Sequence, residues 1–541
     1  MTTLSRYYHT VRHLRPIQIA GRLRLVLPSP RPDLRPPPTV RARHGPYAVP
    51  IEGEPSLTGP DTFRLLNEER RCCDATDWQP RDASDLWTYH LHYFDDLNAH
   101  DAQARADWHR QLLSRWVLEN PPPEGPGWDP YPISRRVVNW VKWALRGHPL
   151  TPACLSSLAV QTRWLLRRLE HHLLGNHLLA NAKALIHAGL YFDGAEADRW
   201  HRRGMALLEG QLREQILADG AHFELSPMYH ALALEDLLDL SNILRAFGRA
   251  VPAHWPSLVA HMRTWLAAMS HPDGEPAFFN DTAWGVAPTA RSLEEYARRL
   301  DLPPAVPADT PLAVLAASGY VRAALGSAYL LCDCGSVGPD YLPAHAHADT
   351  LSFELSLGWQ RVFVNSGTSR YGAGAERQRQ RGTRAHNTLT IDGVDSSEVW
   401  AAFRVARRAR GTLRRASAAG DEVVIEGSHD GYRRLARANE HIRCWTLTAD
   451  SLRIDDRITG RFTSAESRLF LHPQLHAHRA AGHVSVTLAE REIASVSFAG
   501  AASVEVESAT WHPRFGVVVP NLCVVARLSG ATLVTQVSWR R

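Results

Sequence analysis

The densest group of reactive side chains in the sequence is His345-Ala346-His347-Ala348-Asp349. In an extended chain, residues i, i+2 and i+4 share one face, so two imidazoles and a carboxylate would converge where they could hold a metal ion or move a proton. A strand entry with incidental histidines would read the same in isolation. Two further segments, Val364-Asn365-Ser366-Gly367-Thr368 and Arg384-Ala385-His386-Asn387-Thr388, also abut strand-like runs and can meet the first across neighbouring strands. Nearer the N-terminus, Leu174-Gly175-Asn176-His177 opens one helical pattern and Asp219–His230 opens another. In the second, Ser226 is a natural N-cap and Pro227 suits the first turn, which places Tyr229 and His230 at a helix start. Taken singly, each also reads as a cap with a packed aromatic ring.

These residues need elements to position them. Leu155, Leu158, Leu165 and Leu169 recur at helical spacing, as do Leu178, Ala182, Leu185 and Leu190; Met205, Leu208, Leu212 and Ile216; and Leu234, Leu237, Leu238 and Leu244. Short Gly-bearing connections such as Asp219-Gly220 predict stacked antiparallel hairpins, which curl into a solenoid or close into a toroid. Pro303, Pro304, Pro307 and Pro311 mark a break. Beyond Gly319 the period becomes two: Leu351, Phe353, Leu355 and Leu357 alternate with Ser352, Glu354 and Ser356, and Val484, Val486 and Leu488 alternate likewise. The expected organisation is an Arg/Pro-rich segment over 1–50, an all-α domain over 51–310 and an antiparallel β-sandwich over 311–541.

Composition narrows the function classes. With 541 residues, 44% apolar and 22% charged, the chain has ample material for packed domains. Lys+Arg 61 against Asp+Glu 56 gives a net charge of +5, spread along the chain, which argues against a nucleic-acid binder. Lys142 and Lys183 are the only lysines, so the cations are almost all guanidinium, which grips carboxylate or sulfate with two parallel bonds. The seven Cys are odd in number, and Cys72-Cys73 and Cys332-x-Cys334 are too tight for a zinc ribbon or disulfide framework, which leaves free thiols. No apolar run reaches the ~18 residues that span a membrane. Arg6, Arg12, Arg15, Arg22 and Arg24 interrupt any secretory core, so a cytoplasmic location is expected, with the periplasm as the alternative.

Together, Gly175–Leu185, Asp219–His230, His345–Leu355, Val364–Gly372 and Arg384–Gly393 resemble the heparinase II/III-like family of polysaccharide lyases. The opening Arg6-Tyr7-Tyr8-His9-Thr10 and the stretch Trp128 to Trp140 are similar to its bacterial members found with exopolysaccharide genes. The resemblance implies an N-terminal (α/α) toroid, a C-terminal β-sandwich and a cleft between them. It implies β-elimination on an acidic, uronate-containing polysaccharide, with no organic cofactor. Asn176 would neutralise the uronate carboxylate, and Tyr229 and His345 would serve as base and acid in an order left open. His177, Glu224, His230, Arg135 and Arg384 are expected at the substrate, and Tyr89, His92 and Trp128 to line a sugar groove. Some members hold zinc through positions matching His347, His386 and 365; here Asn365 replaces an expected aspartate, so a hydrogen-bonded cluster competes with a metal. The other readings are a glycoside hydrolase pairing Glu224 with Asp349, and a glycan-binding or biosynthesis-associated protein without turnover.

Overall fold

A computed structural model describes residues 3–27, 30–305, 310–435 and 439–540; of the prolines flanking the two domains, Pro28 and Pro307 fall outside these. Two short helices, α1 (Thr3–Val11) and α2 (Pro16–Val26), open the chain, and an extended stretch leads to a three-stranded sheet over Leu57–Arg71. Its last strand, Glu68–Arg71, is Glu-Glu-Arg-Arg, and four charged residues carry no alternation by which to recognise a strand.

Antiparallel helices follow: α3 (Asp85–Leu91), α4 (Ala106–Glu119), α5 (Pro130–Leu145), α6 (Pro152–Arg167), α7 (Gly175–Tyr191), α8 (Ala195–Gln215), α9 (Pro227–Ala246), α10 (Trp255–Ala268) and α11 (Ala290–Arg299). They form the toroid. Helix α7 is buried on nearly every side, as a helix apolar all round must be, and packs against α5, α8 and α9. Lys142 on α5 and Lys183 on α7 both reach the fully buried Asp239 of α9, at 3.0 and 2.6 Å, so one ion-pair network ties the three inner helices.

The C-terminal half consists of antiparallel sheets. A five-stranded meander runs from Leu312–Leu315 to Gln360–Phe363, and an eight-stranded and a four-stranded sheet complete the sandwich. The alternating run is a strand over Phe353–Leu357, with Phe353 and Leu355 in the sandwich core. Its polar side is buried too. Glu354 accepts from the Phe278 N–H and pairs with His271 at 2.9 Å, while Ser356 Oγ meets His271 Nδ1 at 2.8 Å. The segment following α10, residues 270–281, is thus docked along this strand and joins toroid to sandwich.

Candidate active site

A cleft of about 760 Å³ opens between the domains, and Asn176, Tyr229 and Arg135 line it. Asn176 sits in the first turn of α7. The preceding Gly175 has φ +55°, and a Cβ there would lie 2.8 Å from Glu224 Oε1 and 2.3 Å from Leu342, so backbone conformation and close approach both demand glycine. Ser226 caps α9 as the sequence predicts, its Oγ accepting from the Tyr229 N–H at 3.3 Å, and Pro227 is the first helical residue. Tyr229 therefore projects from the first turn toward the sandwich.

There it meets His345: the ring centroids are 3.9 Å apart and the planes 30° from parallel. Tyr229 OH hydrogen-bonds Tyr371 OH at 3.0 Å, and burial, with Tyr371 adding to it, pushes the Tyr229 phenol well above its usual range. His345 gives its Nδ1 to Asp281 Oδ2 at 2.9 Å, which leaves Nε2 as the ring's lone pair, 3.7 Å from Glu224 Oε2. Glu224 is fully buried and neither of its oxygens has a full hydrogen bond, although the Asn176 N–H lies close enough to pull on it. Burial pushes the Glu224 carboxyl up, with His345 acting in the opposite direction.

Asp281 organises this end of the cleft, and no motif in the sequence marks it. Wholly buried, it accepts from His345, from His347 Nε2 at 2.8 Å, from Thr368 Oγ1 at 3.2 Å and from both guanidinium nitrogens of Arg377. Burial opposes its charge, but Arg377 and then the two imidazoles hold its carboxyl well below the usual range. The available signal was the pair Asn280-Asp281 directly after Phe278-Phe279, polar residues in an apolar run between helices. Tyr371 lies inside the quoted Val364–Gly372 segment without having been assigned a part.

The His345–Asp349 segment is a loop, not the extended strand entry expected. Its backbone bonds go elsewhere: the His345 carbonyl accepts from the Asp281 N–H at 2.9 Å, His347 N–H donates to Asn280 Oδ1 at 3.0 Å and Ala348 N–H to the Arg381 carbonyl at 2.9 Å. The two imidazoles converge because the loop wraps Asp281.

The implied zinc can be tested against the donors present. His386 Nδ1 meets the Gly382 carbonyl at 2.9 Å and His347 Nε2 meets Asp281, so each neutral ring turns a lone pair toward the other, 3.1 Å apart. Burial holds His347 down to about 4 and lowers His386 as well, so a shared proton is disfavoured and a cation is what would satisfy both. The third donor is Asp349, whose carboxylate lies within 4.8 Å of both rings. Asn365 is engaged by other partners. Its Oδ1 accepts from the Asn387 N–H at 3.0 Å and its Nδ2 donates to Ser352 Oγ at 3.4 Å. Two nitrogens and one carboxylate fit zinc.

Other expected contacts are redistributed. His177 is next to the cleft-lining Asn176 but is not itself in the lining; its Nδ1 is on Glu170 at 2.9 Å and its ring on Tyr131 at 4.5 Å, and burial works against its charge, but Glu170 prevails and raises it. Arg135 lines the cleft and pairs with Asp95 at 3.2 Å. His92 is buried between Trp78 and Trp116, its Nε2 meeting the Trp78 carbonyl and its Nδ1 accepting from Trp116 Nε1, both at 3.0 Å. Trp128 donates to the Asn120 carbonyl at 3.1 Å within the same aromatic core, and Tyr89 is tied to Asp129 at 2.7 Å. His230 is fully buried, held by the His222 N–H and the Met262 carbonyl, while Arg384 is exposed and paired with Glu466 at 3.0 Å. None of these five lines the cleft; of the rings and imidazoles nearby, His90 and Tyr131 do. For the four rings the cause is that Trp, Tyr and His fill cores as readily as they stack on sugars; Arg384 instead lies on the outer surface.

Comparison with known proteins agrees with this arrangement. The chain is 27% identical over 247 residues to a heparin-sulfate lyase of Bacteroides stercoris, which is 41% of this chain and 37% of that protein. It thus spans little more than a third of that relative's length. It is 25% identical over 512 residues to FtsZ-localized protein C of Caulobacter vibrioides, 87% of this chain and 83% of that one. The fold is that of a solved heparinase III, with a TM-score of 0.70 over 85% of this chain and 79% of that structure at 17% identity. The family models described as Heparinase II/III N-terminus and Heparinase II/III-like, C-terminal match residues 76–302 and 307–540, the toroid and the sandwich on either side of the cleft. The two matches cover both walls of the site, and the chain belongs to the heparinase II/III-like family.

Proposed function

We propose that this protein cleaves a uronate-containing polysaccharide by β-elimination. The observation that carries the reading is the Tyr229–His345 pair: a phenol held protonated by burial, stacked on an imidazole whose Nδ1 is engaged by Asp281, so that Nε2 is the nitrogen turned to a substrate proton. Asn176 donates to the uronate carboxylate and stabilises the enolate that develops there, beside the Glu224 carboxyl, whose hold on a proton burial strengthens. His345 Nε2 takes the C5 proton. The C5–H electrons form the C4–C5 double bond, the C4–O4 bond breaks, and Tyr229 gives its proton to O4. The proton taken up by His345 then returns to the Tyr229 phenolate stacked on it, which resets both groups.

His347, His386 and Asp349 would hold zinc, whose chemistry there is to fix the loop carrying His345. Asp281 touches His347 and His345, so it would transmit that order to His345. The cleft floor carries Glu235, Asp236 and Asp239 against Lys142 and Lys183, which favours a sparsely sulfated uronan over a densely sulfated one. Incubation with uronate polysaccharides of graded sulfation tests the reading. Elimination gives a conjugated double bond that absorbs in the ultraviolet; new reducing ends without that absorbance mean hydrolysis, and neither product means binding without turnover.

A further inference from the structure

The two N-terminal helices are amphipathic the wrong way round for a soluble surface. Helix α1 buries no side chain, and Leu4, Tyr7, Tyr8 and Val11, at i, i+3, i+4 and i+7, form one face that is 80%, 45%, 65% and 49% exposed. On α2 the one buried side chain is polar: Gln18 donates to the Tyr341 carbonyl at 3.2 Å. Gly21 seats the helix on the toroid, where a Cβ would come within 2.8 Å of the His172 backbone nitrogen. The helix thus docks by its polar and small side and leaves its apolar side chains in solvent, Ile19, Leu23 and Val26 on one side and Ile17 and Leu25 beside them.

Both helices are mounted on the body of the protein. Trp400 Nε1 donates to Thr10 Oγ1 at 3.1 Å, the Trp400 and Tyr7 rings meet edge-on at 4.9 Å, and Arg407 donates to Ser5 Oγ at 2.9 Å. Tyr7 is thereby turned to the body of the protein at one edge, and Leu4, Tyr8 and Val11 are left toward solvent. The same stretch holds Arg6, Arg12, Arg15, Arg22 and Arg24, and no acidic residue precedes Asp33.

We infer that α1 and α2 dock this protein on an anionic lipid surface. Short helices that combine leucine, valine and tyrosine with arginine lie in the headgroup region, the apolar side chains entering the acyl boundary while guanidinium groups reach the phosphates. The described helices include none long and apolar enough to cross a membrane, which fits a helix pair lying on the surface. The uniform positive charge opposes pairing this face with a second copy of itself. A lyase mounted this way would meet glycan chains at the membrane face; the docking itself stands whether or not the chain turns over substrate.

The test is co-sedimentation of the full chain with phosphatidylglycerol–phosphatidylcholine vesicles and with pure phosphatidylcholine vesicles. The expected result is binding to the anionic vesicles only, weakened by salt and reduced about tenfold or more by Leu23→Glu with Val26→Glu, with the melting temperature unchanged because both side chains are exposed. Leu4→Glu with Tyr8→Glu should weaken binding independently. Failure to bind anionic vesicles, or binding indifferent to both double variants, overturns the inference. A dimer in light scattering that Leu23→Glu with Val26→Glu dissociates, without vesicle binding, would assign the face to a second copy instead.

Discussion

Tyr229 offers the most direct test at the scale of single residues. Removing its hydroxyl costs one hydrogen bond, to Tyr371, and leaves the ring stacked on His345. Tyr229→Phe should therefore keep its melting temperature within a few degrees and lose at least about 10²-fold in turnover, measured as ultraviolet absorbance of the product. Asn176→Ala should lower turnover far more than affinity, by about 3–4 kcal/mol, because the enolate gains charge only in the transition state. A raised Michaelis constant with unchanged turnover would reassign it to plain binding. Asn365→Asp places a carboxylate beside Glu354, whose Oε1 already accepts the residue 365 N–H. It should destabilise the protein by roughly 1–3 kcal/mol with zinc or with chelator alike, as an unpaired buried charge does. Zinc affinity, measured by competition with a chromophoric chelator, should instead respond to Asp349→Asn. The sequence disclosed Asn176, Tyr229 and His345 because each sits in a distinctive segment. It did not disclose Asp281, whose role arises from contacts with residues 64 to 96 positions away in the chain.

At the scale of elements, helix starts were the most legible feature, since a capping serine and a first-turn proline are local chemistry. The burial of Glu354 and Ser356 was not legible: alternation identifies a strand but not what covers its polar side. A similar covered network sits in the eight-stranded sheet, where Arg443 pairs with Asp456 at 2.7 Å and donates to the Leu351 and Asn387 carbonyls at 2.9 and 2.8 Å. Burial opposes the Asp456 charge, yet Arg443 and then His441 hold its carboxyl far below the ordinary range. A depressed folded value means that the stabilisation is complete above the unfolded value of about 4 and is lost as pH falls below it. Thermal melts from pH ~6 down to ~3 should show this loss in wild type and a shallower slope in Asp456→Asn, which starts from a lower melting temperature because Arg443 is left unpaired. An identical slope in both would move the acid sensitivity to another carboxylate.

For the molecule as a whole, the order helical domain then β-domain follows from the change of period alone; the closure of the helices into a toroid was implied only by the family resemblance, and the interlock of the two domains by neither. Residues 270–281 leave α10, lay His271 on the sandwich strand and end on Asp281, which holds His345 Nδ1. The Tyr229–His345 pair is thus built from both domains, and a disturbance of the joint reaches His345 without touching it.

The placement of the two lysines has a practical consequence for watching the toroid move. Each side chain is 5% exposed and locked on Asp239, while every other basic side chain is arginine or histidine. Both amines border the cleft floor but are held in ion pairs, so amine-directed acylating reagents should label them slowly in the native protein and a lysine-specific endoprotease should leave it whole. Both should act faster when the inner helices part, so the rise in labelling rate at Lys142 and Lys183, read by mass spectrometry across a urea series, becomes an intrinsic clock for toroid opening. Rapid modification of either lysine in the absence of denaturant would mean that the inner ring breathes on the reagent's timescale.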